Sequence, residues 1–142
     1  MIESTYLVSG PSAITTLADV DRSEVTVVGI AGSTTMRAAV RSLKDAKVVS
    51  ASSVDEAMKI MKAETAQAFA LTHDALPILQ KQLPGSRILD GAFQITGVAI
   101  AVQKDRPASL AYVKHFVESA KANGIVRRAF DDAGLNGLSV AP

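Results

Sequence analysis

The chain has 142 residues and no cysteine. Its 48% apolar and 20% charged residues mark a globular composition and exclude a disordered one. A net charge of +1 gives no basic footprint for nucleic acid, and the missing thiols exclude disulfides, thiolate metal sites and a cysteine nucleophile.

In chain order, Tyr6-Leu7-Val8 is a short apolar strand stopped by the turn signal Ser9-Gly10-Pro11-Ser12. Ile14 to Val20 fits a short helical turn. Val25 to Ile30 is β-branched and reads as a buried strand. The small polar loop Ala31 to Thr35 follows. Met36, Ala39, Val40 and Leu43 then form one helix face. Lys47 to Ser50 is the next strand. Ser53-Val54-Asp55-Glu56 has the spacing of a capping box, opening a helix with Val54, Ala57, Met58 and Met61 on one side.

Gln67 to Leu71 is a third apolar strand. It ends at Thr72-His73-Asp74, where Asp74 can cap a helix from Ala75 to Gln82, with Pro77 tolerated in the first turn. After Pro84-Gly85-Ser86, Arg87 to Leu89 forms a short strand. Gly97 to Val102 is the most apolar strand, broken by Lys104 to Pro107. A helix with Leu110, Val113, Val117 and Ala120 inward, and Phe116 beside them, ends at Asn123-Gly124. A shorter one spans Ile125 to Leu135. The alternation predicts an α/β fold: a mostly parallel three-layer sheet plus two C-terminal helices. No apolar run reaches the roughly 18 residues that cross a bilayer.

The stretches Thr5 to Val8, Leu17 to Asp21, Val27 to Thr35, Ala68 to Asp74, Gly97 to Lys104 and Ala120 to Ile125, in this order and spacing, resemble the C-terminal part of the type 2 periplasmic solute-binding proteins. The match is to the amino-acid-binding group, family 3, of ABC importers. That resemblance implies a first hinge strand over residues 1–10 and an α/β second lobe over 11–95. A second hinge strand would cover 96–104. Residues 105–142 would be helices that belong to a first lobe whose body is not in the sequence. It also implies a periplasmic protein, although Met1 to Tyr6 does not read as a secretory signal; expressed as written, the chain would stay in the cytoplasm. The expectation is therefore a truncated solute-binding protein, partnered in its full-length form by ABC transporter membrane subunits.

Two places are candidates for binding an amino acid or similar small carboxylate. Gly32, Ser33 and Thr34 lie between a strand and a helix, where free amides and the helix dipole favour an anion; Ser33 could equally be a plain N-cap. His73 and Asp74 end a strand, where ligands bind in open α/β sheets. The resemblance assigns the ligand carboxylate to the loop at 32–34 and its ammonium group to Asp74; capping is the other reading of Asp74. Ile30 stands where some amino-acid binders carry a polar residue, which points to a less polar ligand. Arg37 and Arg41 read as solvated, His115 as structural. No catalytic residue, metal site, cofactor or nucleic-acid partner is expected, and the chain reads as a non-enzyme.

A lone lobe should bind amino acids at millimolar affinity or worse, about 4 kcal/mol or less. Uncovered apolar helix faces predict a homodimer, with exchange of the C-terminal helices as one form of it; the alternative is that these helices fold back onto their own lobe. Two other readings share this pattern. One is a dehydratase-like enzyme of the same fold. The other is a stand-alone doubly wound domain, for which the acidic pair of a receiver is missing.

Overall fold

The computed structural model describes residues 1–135 and 137–142. The chain divides into two units, Glu3–Ile95 and Met1–Ile2 with Thr96–Pro142.

The larger unit is built on a mixed sheet. Its strands are β1 (Ile2–Val8), β2 (Thr26–Ile30), β3 (Lys47–Ala51), β4 (Ala68–Thr72), β5 (Arg87–Ile88) and β6 (Gln94–Thr96). The order is β3-β2-β4-β1-β5, with β6 also on β1. β2 runs parallel to β3 and to β4, as short βαβ crossovers require. β1 lies antiparallel to β4 and β5.

Side chains alternate across each strand, so the sheet feeds two cores. Tyr6, Val8, Val27, Ala68 and Ala70 face α1 (Thr34–Ser42), which contributes Ala39. Leu7, Val28 and Phe69 face α2 (Val54–Lys62) and α3 (Leu76–Gln80), with Met58, Met61, Leu76 and Leu79. The three-layer α/β architecture expected from the sequence is the one observed.

β1 is longer than its apolar run. Ser4 and Thr5 extend it because their hydroxyls find partners inside: Ser4 bonds Thr35, and Thr5 Oγ1 donates to the Leu89 carbonyl at 3.0 Å. Two carboxylates tie the loops around α1. Asp19 Oδ2 accepts from the amides and hydroxyls of Thr15 and Thr16. Asp21 Oδ1 accepts the amides of Lys44, Asp45 and Ala46 at 2.8, 2.8 and 3.1 Å, fixing the entry to β3. The α2 capping box is formed in part. Ser53 Oγ accepts the Glu56 amide, but the Glu56 carboxylate reaches Ser52 and not Ser53.

Four sequence expectations fail, one of them Leu110, expected inward on its helix and 51% exposed. Val40 is 53% exposed, because the buried stripe of α1 is Thr35, Ala38 and Ala39. Val54, at the first position of α2, is 37% exposed. The strand placed over Gly97 to Val102, within the proposed 96–104 hinge segment, is not formed; the strand is Gln94–Thr96. Leu89 donates to the Tyr6 carbonyl and Phe93 to that of Ser4, so the returning chain is already near the start of β1 when β6 pairs with it.

In the smaller unit, α4 (Pro107–Ala122) and α5 (Ile125–Asp132) meet at Gly124, whose φ of 75° is a left-handed conformation suited to glycine. Ala120 is buried, while Leu110 and Phe116 are 51% and 54% exposed. An apolar cavity of about 410 Å³ in this unit is lined by Val98, Ile100, Val117, Val126, Phe130 and Leu138 among others. Among the described residues, no helix is long and apolar enough to cross a membrane.

Candidate functional site

Strand order creates the site. α1 carries the chain from β2 to β3 over one face, and α2 carries it from β3 to β4 over the other. The order β3-β2-β4 therefore reverses direction between β2 and β4. Ligands in open α/β sheets bind outside the carboxyl ends of strands at such a point. Val28 lies opposite Phe69 and Gly29 opposite Ala70, so the two strands end side by side. The loop at 31–34 leaves β2 there, and the segment 73–75 leaves β4 there. The topology thus brings both sequence-predicted places, Gly32-Ser33-Thr34 and His73-Asp74, to one edge of one sheet.

The first of them is a helix start. Ser33 is the N-cap of α1, its Oγ accepting the Met36 amide at 3.0 Å. The capping role weighed from the sequence is therefore real. It does not use up the site. First-turn amides have no intrahelical acceptor, so those of exposed Thr34 and buried Thr35 are left without a helical partner beside the positive end of the helix dipole. Gly32 has φ +74° with open space where a Cβ would stand, and Gly32 and Thr34 are exposed. Gly29 lets α1 begin this close to the strand: a Cβ there would lie 3.1 Å from the Cβ and Cγ of Met36.

The second place differs from expectation. α3 begins at Leu76, its N-cap is Ala75, and no side chain caps it. Asp74 is thus not a capping residue; it is exposed, next to a half-buried His73. The His73 amide donates to the Glu3 carbonyl at 2.8 Å, which holds this corner against the start of β1.

Sequence reasoning missed Ser4 and the loop contact of Arg37, and it placed Thr35 in the candidate loop without its buried partner. Ser4 and Thr35 are buried and joined through their hydroxyls at 3.2 Å under the loop. A lone serine in a polar run and a threonine inside a helix carry no signal of meeting across 31 residues. Arg37, exposed as foreseen, does more than face solvent: its Nη1 donates to the Gly32 carbonyl at 2.8 Å, tying down the loop and leaving a cation beside it. The i+5 spacing of that contact was readable but common to any helix start. Ile30 packs partly against the core on the α2 side. No cluster of three metal-ligating side chains occurs among the described residues.

Known structures share this fold. One from Wolinella succinogenes, assigned as the binding component of an ABC transporter and complexed with lysine, has a TM-score of 0.74 at 21% identity over 92% of this chain and 58% of its own. A mutant of ArgBP from T. maritima gives 0.66 at 20% identity, over 92% of this chain and 57% of its own. An ancestral amino acid-binding protein, a precursor of cyclohexadienyl dehydratase, gives 0.67 at 21%, again over 92% and 57%. No family model and no curated protein matches the sequence. The chain spans a little under three fifths of each of these structures. It has the fold of the amino-acid-binding solute-binding proteins of ABC transporters, over part of their length.

Proposed function

We propose that this chain is the second lobe, hinge segments and C-terminal helices of a solute-binding protein that serves an ABC importer. In that reading residues 1–10 and 96–104 are the hinge segments, 11–95 the lobe and 105–142 the helices that return to a first lobe. The lobe binds one side of an amino acid or small carboxylate. The amides of Thr34 and Thr35, with the Ser33 and Thr34 hydroxyls and Gly32, receive the carboxylate; Asp74, with His73 beside it, receives the ammonium group. The observation that carries this reading is the meeting of the two loops at the reversal point between β2 and β4. Asp74 is free of capping duty, which supports it further.

The same reading makes the protein periplasmic, with the importer's membrane subunits as partners. Exposed Leu110, Phe116 and Ile125 support self-association of the chain through α4 and α5. A two-fold exchange of these helices is the form proposed. Sedimentation at low micromolar concentration should give a dimer, and a clean monomer removes this part.

Binding rather than catalysis is the reading, since the helix start at residues 32–35 offers amides and a dipole end suited to holding an anion. The test is titration of the ¹⁵N-labelled protein with L-leucine, L-lysine and acetate, followed by amide shifts. Shifts at residues 32–35 with all three probes, and at 73–74 with the amino acids alone, are expected at millimolar concentrations. Absence of shifts at both loops at high probe concentration overturns the assignment.

A further inference from the structure

We propose that the buried hydroxyl pair Ser4–Thr35 is a positioning element for the carboxylate cradle: it holds the first turn of α1 against β1 so that the Thr34 and Thr35 amides converge on one point. The inference rests on the cradle reading given above.

Ser4 is 2% exposed and Thr35 is 4% exposed, and Ser4 Oγ lies 3.2 Å from Thr35 Oγ1. Burying two hydroxyls is unfavourable unless they satisfy each other, so the pair is coupled rather than incidental. Ser4 is the fixed partner. Its carbonyl accepts the Phe93 amide at 3.0 Å, and the neighbouring Glu3 carbonyl accepts the His73 amide at 2.8 Å. β1 is therefore held from both sides where it passes the site. Thr35 is the partner to be positioned: it is the second residue of α1, so its own amide is one of the unclaimed donors.

Apart from the Ser42 hydroxyl, which faces the Tyr6 phenol from the last turn, the contacts named here between α1 and the sheet are apolar. Ala39 sits in the core with Val27 and Ala68, and Met36 lies against Gly29. Apolar contact has no direction and tolerates a small slide or roll of the helix. A hydrogen bond does not, because it weakens steeply with distance and angle. The hydroxyl pair is thus the contact that sets the azimuth of the first turn. Ser33 closes the turn on itself, through the Met36 amide, and cannot do this.

The experiment compares wild type with Thr35→Val, which keeps the shape and removes the hydroxyl, Ser4→Ala, the double variant, and Thr35→Ser, which restores the hydroxyl. Each is titrated with acetate and with L-leucine by ¹⁵N amide shifts, and thermal melting is measured alongside. Thr35→Val and Ser4→Ala should each weaken both probes roughly five- to tenfold while folded. The double variant should be no worse than either single one, because both remove the same bond. Thr35→Ser should bind like wild type. Lower melting temperatures with wild-type affinities and shift patterns would show a merely structural pair and overturn the inference while the cradle stands. If wild type itself shows no shifts at residues 32–35, the cradle falls and this inference with it.

Discussion

Gly29 and Met36 are so close that any side chain at position 29 would make Met36 give way by a few tenths of an ångström. A Cβ on Gly29 would come within 3.1 Å of two side-chain carbons of Met36, closer than ordinary packing. Met36 is the residue whose amide the Ser33 hydroxyl accepts, so the contact lies inside the turn that opens the candidate site. Gly29→Val should force that turn outward and cost about 1–3 kcal/mol in urea unfolding. Amide shifts in the variant should concentrate at residues 31–37. An unchanged midpoint would mean that α1 is not seated on β2 as described.

The Asp74 side chain is exposed and caps nothing. Asp74→Asn should therefore leave stability within about 0.5 kcal/mol of wild type. It should also weaken the L-leucine response while sparing that to acetate, which has no ammonium group. A large loss of stability would return Asp74 to a structural role.

Tyr6 is buried in the core under α1, stacked on Phe93 with ring centroids 4.4 Å apart. Its hydroxyl has no hydrogen-bond partner among the described residues. Burial pushes the phenol up to about 12; the Ser42 hydroxyl opposes this only in part, itself donating to the Ala39 carbonyl at 3.2 Å. Tyr6→Phe should be neutral or stabilising by up to about 1 kcal/mol. The folded pKa is above the unfolded one, so the neutral phenol favours the fold below about pH 10, and that contribution is lost as pH rises toward 12. In a Tyr112→Phe background, absorbance should report Tyr6 ionising only as the protein unfolds. Ionisation in the intact fold near pH 10 would contradict its burial.

Three carboxylates shift the other way, Asp19 and Asp21 half-buried and Glu56 exposed. The hydroxyl of Thr16, then the amide and hydroxyl of Thr15, lower Asp19. The amides of Ala46 and Asp45 lower Asp21, and the Ser52 hydroxyl and amide lower Glu56. Their contributions are present above the unfolded carboxylate range near about pH 4 and are lost as pH falls through the lower folded values. Melting temperature should drop on acidification, and Asp21→Asn should flatten that dependence. An identical slope in the variant would remove Asp21 from the acid response.

Periodicity made the sheet and its three main helices legible, because alternation and helix faces are local signals. Val40 was misjudged because α1 stops at Ser42 and its inward stripe is set by small residues, Ala38 and Ala39. Gly97 to Val102 has the composition of a strand, but a strand also needs a neighbour, which composition does not reveal. Asp74 matched the cap pattern, yet the helix starts later, at Leu76, under the influence of Pro77. The loop at 32–34 and Asp74 were found one at a time; their convergence depends on strand order, and so does the Ser4–Thr35 pair.

Ala120 is the one buried residue of α4 among the described residues, and α5 has none. β1, β2 and β4, by contrast, are enclosed on both faces. A brief deuterium pulse should consequently label the backbone of Pro107–Asp132 well before that of the central strands, dividing the polypeptide into a slow-exchanging and a fast-exchanging region.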